Sequence, residues 1–452
     1  MNNIFTSKIK KTHALVWLFL GMLAYKFSMD LGYVYLSGLD SKTYPLSFNP
    51  LKYAAGLVWC VVFFLNVRHT ERKASSFCLY FTFLFQIVPI SSIYALKNES
   101  SIYYHTLCIS FFLCELTVAC IEERPLFRRN LIISHTMTLC FAVAATLVII
   151  YIILKNGAPN LSLLNIYSVY DYRNSGAFKI SKYMSYLMSW TMKVFLPCGM
   201  AWAISKKKYL WASFLGSLLL LLYLYSGYKS YLFAIPFVLV GTLWARRKNC
   251  YQELFLTGCA GFSVFTVLSY FSRPGSFWYH AFSILIRRPM FLPARLKFDY
   301  YDYFSNHPKM GLYAVFPRWI LPISSFYENV DCHHEISAIY YNAPEANANT
   351  GFFAEGYMRF GHIGTILLLL LFALLLKQID RLQDRVGYQL AIGFFLYPIF
   401  ELIDSHLLDT LILGAWMFLA AILLFYTLNP SQLLSSLKEV PREHPSKLPG
   451  PL

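Results

Sequence analysis

Arginines are concentrated in a polar segment of about 90 residues, 272–361, that interrupts an otherwise apolar chain. Arg287, Arg288 and Arg295 lie inside this segment, and Arg359 lies near its end. A guanidinium group matches phosphate oxygens through a planar fork of donors, which a lysine cannot do. The residue types predict an anionic ligand. The alternative for any single arginine is that it only anchors at lipid headgroups.

Three carboxylates of the same segment, Asp299, Asp302 and Glu355, could remove a proton from a ligand hydroxyl. Glu355 lies among glycines and aromatic residues directly before an apolar run. Such a position is partly withdrawn from water and would suit a general base. An ion pair with Arg359, four residues later on a helix, is an equally weighted alternative.

A cluster of potential metal ligands runs from Asp331 through His333 and His334 to Glu335. Its spacing fits no familiar zinc signature, and adjacent histidines cannot easily reach one ion. We therefore predict no metal and no other cofactor. His307 is isolated in the sequence and remains a candidate for binding a polar ligand.

These residues must be positioned by elements built to cross a lipid bilayer. The chain is 57% hydrophobic and only 14% charged, whereas a soluble domain carries about 25% charged residues. The apolar runs are continuous, which predicts helices and argues against a barrel. The sequence thus predicts an all-α polytopic membrane protein with about twelve transmembrane helices. They lie near 12–30, 51–67, 77–96, 104–121, 131–154, 183–204, 209–225, 230–245, 252–271, 362–376, 388–403 and 407–427.

The net charge of +16 follows a topological pattern. Basic residues occupy every second connection, near residues 8–11, 68–73, 124–129, 206–208, 246–248, 377–385 and 438–447. Basic connections favour the cytoplasmic side, so both termini are predicted to be cytoplasmic. The same pattern accounts for the charge without a nucleic-acid partner.

Four regions follow from this topology. Residues 1–271 form helices 1–9, and 272–361 form a large external, periplasmic loop that carries active-site residues. Residues 362–428 form helices 10–12, and 429–452 form a disordered cytoplasmic tail. The external side also receives 155–182, with Arg173, and the short turn 226–230, with Lys229.

Three motifs resemble the Wzy-type oligosaccharide repeat-unit polymerases, the O-antigen polymerase family. The first comprises the run 287–295, with Arg287, Arg288 and Arg295, and the aromatic run 300–308 that follows it. The second is the run 347–361 with Gly364, which we call the closing run, and the third is the turn 226–230. Where relatives often carry Asn, this chain has Arg359.

The resemblance implies a metal-independent glycosyltransferase, related to the class C type, in the bacterial inner membrane. Such an enzyme transfers a growing glycan from undecaprenyl diphosphate to a fresh lipid-linked repeat unit. Its partners would be the lipid-linked oligosaccharide and the bilayer, with a chain-length regulator and a flippase as further candidates.

We therefore assign a role to each candidate residue. Four cations, Arg173, Lys229, Arg288 and Arg295, are expected to bind and polarise the diphosphate, and Glu355 is the expected base. The candidates expected to bind substrate are Arg173, Lys229, Arg287, Asp302, His307, Asn349, Tyr357 and Arg359.

Two other functions remain open at this stage. An O-antigen ligase uses the same lipid donor and typically relies on a histidine of the outer loop, for which His307 or His334 is available. A polysaccharide flippase or exporter would transport glycan without chemistry. No Walker-type loop occurs in the sequence, so the chain is not itself predicted to be an ATPase.

Overall fold

The computed structural model describes most of the chain. The described residues are 2–66, 72–121, 135–165, 168–169, 172, 175–247, 250–273, 275–313, 315, 326–328, 330–408 and 410–411. Arg173, most of the twelfth predicted span and the tail 429–452 lie outside them.

The secondary structure of the described residues is helical, without a strand. The helices are α1 (Asn2–Leu39), α2 (Pro50–Asn66), α3 (Ala74–Leu96), α4 (Ser101–Cys120), α5 (His135–Asn156), α6 (Lys182–Trp190 and Leu196–Ser205), α7 (Tyr209–Ser226), α8 (Lys229–Trp244), α9 (Cys250–Tyr270), α10 (Phe277–Phe282), α11 (Leu292–Asn306), α12 (Cys332–Tyr341), α13 (Phe352–Val386) and α14 (Tyr388–Glu401). π-helical turns lie within α3 at Phe83–Ile87, within α6 at Thr191–Phe195, and between α10 and α11 at Ser283–Phe291; short 3-10 turns occupy Leu161–Leu164 and Phe326–Glu328.

The prediction of an all-α membrane protein is confirmed at this level. Eleven of the predicted apolar runs fall on helices of the described chain. Six helical stretches are long and apolar enough to cross a membrane. They are Leu15–Leu39, Ala74–Leu96, Ser101–Cys120, Tyr183–Ser205, Tyr209–Ser226 and Phe352–Asp384. The total of twelve spans stays a prediction.

Small residues bring some helices into close contact. Helix α8 packs on α14, where a Cβ added at Gly241 would lie 3.1 Å from the Ile392 carbonyl oxygen and 3.3 Å from Gly393 Cα. Inside a bilayer the lipid tails are as apolar as the side chains, so close backbone packing replaces the hydrophobic effect between helices. Helices α1 and α9 form another such pair, and α4 packs on α13.

The basic connections meet at one end of the helix assembly, which we call the basic end. Arg72 donates to the Ala245 carbonyl at 2.8 Å, and Gln383 donates to the Arg72 carbonyl at 2.9 Å. Arg246 donates to the Ile204 carbonyl at 2.5 Å. Four basic connections that are far apart in sequence are therefore neighbours, as the charge alternation predicts.

The opposite end gathers the weakly charged connections. Tyr225 donates to the Gly157 carbonyl at 2.7 Å, and Asn160 N–H donates to the Leu224 carbonyl at 3.1 Å. We call it the distal end. The two ends differ in charge because alternate connections return to the same end of an up-and-down helix assembly.

Helix α13 is broken at Phe360 (φ −136°, ψ 18°) and Gly361 (φ 68°, ψ −151°). Its first part, 352–359, folds back on its second part, 362–386. The rings of Phe352 and Phe372, twenty positions apart, therefore lie only 4.8 Å apart. A Cβ added at Gly356 would lie 2.5 Å from Thr365 Cα, so only glycine fits where the two parts touch.

This break lies at the end of the segment expected to form the external loop. Much of the described part of 272–361 is helical, comprising α10, the π-helical turn, α11, α12 and the first part of α13. The predicted start of the tenth span at residue 362 coincides with the resumption of helical geometry after Gly361. The described part of the polar segment is thus largely helical and packs on the rest of the assembly.

Candidate functional site

A cavity of about 440 Å³ with a mixed polar and apolar lining opens at the distal end. Its walls come from the first half of α6, the start of α8, α12, the closing run and the segment after α14. Its polar lining residues include Lys193, His333, Asn349, Thr350, Asp404 and His406. Phe178, Ile180 and Met188 add an apolar side. A cavity with an apolar wall and convergent polar groups is a typical ligand site.

The closing run forms one wall of this cavity and also packs against the segment after α14, which forms another wall. Asn349 and Thr350 face the cavity directly. The next residue, Gly351, packs on the backbone just after α14, where an added Cβ would lie 2.5 Å from the Leu402 carbonyl oxygen. Any larger residue there would push away the segment that carries Asp404.

Glu355 holds the same segment through hydrogen bonds. One carboxylate oxygen accepts from the backbone N–H groups of Leu407 at 2.6 Å and Leu408 at 3.3 Å. The other oxygen accepts from Arg359 Nε at 3.0 Å. Glu355 is 0% exposed. Both of its oxygens are engaged within the protein, so this geometry favours a structural role over that of a base.

Arg359 completes this buried pair. It is 2% exposed, and its Nη1 donates to the carbonyls of Tyr313 at 2.9 Å and Gly311 at 3.3 Å. The alternative foreseen for Glu355, an ion pair with Arg359, is the arrangement present in the structure. Arg359 therefore ties the closing run to the polypeptide after α11, and its expected contact with substrate remains a prediction.

Asp404 is the carboxylate that faces the cavity. Its side chain is accessible from the cavity, and among the described residues its carboxylate accepts a hydrogen bond only from its own backbone N–H. Asp404 is exposed at the cavity, yet desolvation by the surrounding protein, assisted by the charge of Glu401, raises its pKa to about 6. Lys193 and Lys297 act in the opposite direction.

Lys193 brings a cation to the cavity wall. It lies on the π-helical turn of α6, a feature often found at functional sites. Its Nζ is 3.2 Å from Glu401 Oε2, and Tyr397 donates to Glu401 Oε1 at 2.6 Å. Glu401 is thereby engaged by two partners, unlike Asp404 three residues later.

Lys297 lies on α11, close enough to Asp404 for their charges to interact. It is 0% exposed, and its Nζ donates to the Pro293 carbonyl at 3.1 Å. Burial lowers its pKa to about 7, and Asp404 raises it slightly in return. Both groups can therefore change protonation near neutral pH.

A second cluster on α11 surrounds Arg295. The guanidinium group lies 4.4 Å from the Tyr341 ring centroid and 5.6 Å from that of Tyr44. Its Nε is 3.4 Å from Asp299 Oδ2, and Asp299 also accepts from Tyr341 at 2.7 Å. Burial raises the pKa of Asp299, although Arg295 and Lys97 oppose the shift. Arg295 is 5% exposed, and no described residue accepts a hydrogen bond from its Nη1.

Asp302 extends this cluster to the surface. It accepts from Tyr340 at 2.6 Å, and Arg295 Nη2 donates to the Tyr340 carbonyl at 3.4 Å. Burial raises the pKa of Tyr44, and Arg287 lies near enough to oppose that shift, so Arg287 belongs to the same neighbourhood. Arg288 is exposed on the adjoining π-helical turn. The structure thus brings Arg287, Arg295 and Asp302 together.

The remaining predicted substrate-binding residues are dispersed. Lys229 begins α8 between Tyr228 and Tyr231, which line the cavity. His307 stacks on Tyr303 at 4.0 Å, with Nδ1 2.8 Å from the Tyr303 carbonyl oxygen. Arg173 lies outside the described residues.

Tyr357 belongs to an aromatic cluster. Its hydroxyl is 2.9 Å from Ser305 Oγ, and Lys309 Nζ lies 4.1 Å from its ring centroid. The Tyr301 ring lies 4.8 Å from the Tyr357 ring and is tilted by 50° relative to it. This cluster fixes the first part of α13 against α11, and Tyr357 does not line the cavity.

The ligand atoms of Asp331, Cys332 and His333 lie within 4.8 Å of one another. Asp331 already accepts from the His333 backbone N–H at 3.0 Å as the N-cap of α12. Burial raises the pKa of Cys332 to about 12, which disfavours the thiolate that a metal would need. His333 Nδ1 lies 2.5 Å from the Tyr300 hydroxyl. These contacts account for the grouping without an ion.

Comparison with known proteins gives no further support. No known protein family, no curated protein and no solved structure matches this chain. The class of protein rests on the apolar helices, and any activity must be proposed from the sites themselves.

Sequence reasoning found Asn349 but missed the residues that share its cavity. Lys193 was inside an apolar run, and Asp404 and His406 followed another. The available signal was that Lys193, Glu401 and Asp404 interrupt apolar sequence. A charge near a span often marks function, but it does not reveal which charges face one another.

Proposed function

We propose that this protein is a Wzy-type polymerase of undecaprenyl-diphosphate-linked oligosaccharide repeat units. The observation that carries the proposal is the distal cavity. It combines an amide and a hydroxyl from the closing run with the Asp404 carboxylate, two histidines and the Lys193 cation. A glycosyl transfer needs this set, because sugar hydroxyls require hydrogen-bonding partners and an acceptor hydroxyl must lose a proton.

The diphosphate would bind through cations of the same end. Arg295 supports this role because its Nη1 is buried without an acceptor among the described residues. Arg287 and Arg288 lie on the adjacent turn, and Lys229 begins α8 beside the cavity. Preorganised cations stabilise the negative charge that grows on a departing diphosphate. Asn349 and Asp302 are the proposed hydrogen-bond partners of the sugars.

The proposed topology has twelve spans in the bacterial inner membrane, with the basic end and both termini cytoplasmic. Its support is the charge difference between the two ends of the assembly. The cavity would then lie at the periplasmic face, where lipid-linked repeat units await polymerisation. The apolar wall near Met188 and Ile180 would receive the first isoprene units.

The test uses the purified protein in lipid nanodiscs with lipid-linked repeat units as the only substrate. We expect a ladder of longer lipid-linked glycans. Arg295→Ala should reduce the rate about 10²–10³-fold, the typical loss on removal of one stabilising donor. Arg247→Ala is the matched control, since it removes an exposed arginine of the basic end. Equal activity of both variants would contradict the role of Arg295.

An O-antigen ligase is a second candidate, because His333 and His406 line the cavity and could serve acid–base chemistry. His307 and His334, the histidines first considered, do not line it. A ligase would extend lipid A core and leave lipid-linked repeats at unit length when core is absent. A flippase or exporter would not lengthen the glycan with either acceptor.

A further inference from the structure

We propose that Asp404 takes the proton from the acceptor hydroxyl, an inference that rests on the polymerase function proposed above. The sequence motifs point to Glu355 for this role. In the tertiary structure, however, Glu355 is engaged in hydrogen bonds that hold the fold, whereas Asp404 faces the open cavity.

The carboxylates around the cavity differ in their partners. Glu355 accepts hydrogen bonds from Arg359 and two backbone N–H groups. Glu401 pairs with Lys193 and accepts from Tyr397. Among the described residues, the Asp404 carboxylate accepts a hydrogen bond only from its own backbone N–H, and its side chain is open to the cavity. A general base needs a lone pair within hydrogen-bond reach of its substrate, and Asp404 meets that requirement.

The surroundings of Asp404 give it a suitable basicity. Desolvation and Glu401 raise its pKa to about 6, while Lys193 and Lys297 limit the rise. At neutral pH it would be largely ionised, yet more basic than an ordinary aspartate. The charged and titratable groups on the packed elements and the cavity wall are Glu401 and His406 on its own segment, Lys193 and Tyr186 on α6, Tyr228 and Tyr231 near the start of α8, Lys297 on α11, and His333 on α12.

The closing run positions Asp404 from both sides of the segment that carries it. Gly351 packs against the Leu402 and Ile403 carbonyls before it, and Glu355 binds the Leu407 N–H after it. Asn349 and Thr350 project from the same run into the cavity. Thr350 Oγ1 is buried and has no hydrogen-bond partner among the described residues. An acceptor sugar bound to Asn349 and Thr350 would therefore present a hydroxyl to Asp404.

The step balances without a cofactor. The acceptor hydroxyl gives its proton to an Asp404 oxygen, and the acceptor oxygen forms a bond to the anomeric carbon of the donor glycan. The bond from that carbon to the diphosphate oxygen breaks, and its electron pair leaves with undecaprenyl diphosphate. Asp404 then releases its proton to water before the next turnover.

The decisive variant is Asp404→Asn, which keeps the size of the side chain and removes the base. In the nanodisc assay we expect kcat to fall about 10²–10⁴-fold, the usual contribution of a general base, with KM for the lipid-linked repeat within a few-fold of the parent. Asp404→Glu should restore part of the rate. Glu253→Gln, at the basic end, should match the parent protein.

The pH profile separates chemistry from structure. The rate of the parent should fall as pH drops below about 6, where Asp404 takes up a proton. The small residual rate of Asp404→Asn should lack this limb. A gel-filtration profile and melting temperature equal to the parent establish that the variant is folded. If it does not fold, the acid limb of Asp404→Glu decides, because its position must shift if this carboxylate is the base.

Two results would overturn the inference in different ways. If the parent extends lipid-linked repeats and folded Asp404→Asn does so equally fast, Asp404 is not the base and the polymerase function stands. An unshifted acid limb in Asp404→Glu has the same consequence. If the parent protein does not lengthen the lipid-linked glycan, the proposed function fails and the role of Asp404 fails with it.

Discussion

Replacement of Glu355 by Gln tests whether this residue supports the fold or performs chemistry. Glu355 and Arg359 are 0% and 2% exposed, and their charges are 3.0 Å apart. Gln retains the shape but leaves the Arg359 cation buried without its counter-charge. Removal of one partner of a buried ion pair typically costs about 3–5 kcal/mol. We expect a loss of that order in the free energy of unfolding.

A second ion pair of the same length provides a matched control. Arg247 Nη1 and Glu253 Oε2 are also 3.0 Å apart, but their side chains are 64% and 40% exposed. Exposed pairs contribute about 0.2–1 kcal/mol. Glu253→Gln should therefore cost far less than Glu355→Gln, although the two substitutions are chemically identical, because Glu355 is buried and also accepts from Leu407 and Leu408.

The assay is the free energy of unfolding of each variant in bicelles, measured by steric trapping, together with polymer synthesis by the folded fraction. In the double variant Glu355→Gln/Arg359→Gln no buried charge is left uncompensated. It should lose less stability than the sum of its two single variants, since residues in one network are coupled by about 0.5–3 kcal/mol.

The possible outcomes distinguish a structural role of Glu355 from a catalytic one. If Glu355→Gln costs no more than Glu253→Gln, the reasoning from burial is refuted. If it remains stable but loses all activity, Glu355 is the base after all. Loss of stability with partial activity in the folded fraction supports a positioning role, in which Glu355 holds Leu407 and Leu408 beside the cavity.

Three further predictions concern packing, protonation and topology. Gly356→Ala should prevent folding, because its Cβ would lie 2.5 Å from a backbone atom, whereas Gly258→Ala should be tolerated because nothing lies within 4 Å; detergent gel filtration shows which protein is recovered. Lys297 has a lowered pKa of about 7, so the folded protein binds fewer protons than the unfolded chain above that pH, and stability should rise from pH 7 towards 10. Lys297→Met should abolish this rise in unfolding measurements; its persistence would assign the rise to other groups. A membrane-impermeant maleimide should label Ser405→Cys in intact cells but not Ser205→Cys, since the two positions line cavities at opposite ends; the reverse pattern would invert the proposed topology.

The candidate site was partly predictable from sequence. The closing run was identified by its composition, and it does contribute Asn349 to the cavity. Arg287 and Arg295 belong to one sequence motif, and both lie near Tyr44, because eight positions place them about two turns apart on one run of helix. Sequence spacing alone therefore predicts which side chains are neighbours when both lie on one helix.

Spacing could not predict the partners contributed by other helices. Glu355 looked like a base because its hydrogen-bond donors, Leu407 and Leu408, come from about fifty positions later. Asp404 appeared to be an ordinary charge at the end of a span, since nothing in its neighbourhood reveals Lys297 or His333. Which carboxylate remains available depends on these long-range contacts.

The sequence by itself determined the helical class, the positions of the apolar helices and the segregation of basic connections to one end. These properties follow from hydrophobic run length and charge, which act along the chain with little dependence on distant residues. Only the tertiary structure decided that the closing run folds back at Gly361, that Glu355 is consumed in holding the segment 402–408, and that Asp404 faces the cavity. Burial and hydrogen bonding are properties of the packed assembly, because the groups that remove water from a carboxylate or donate to it come from several helices.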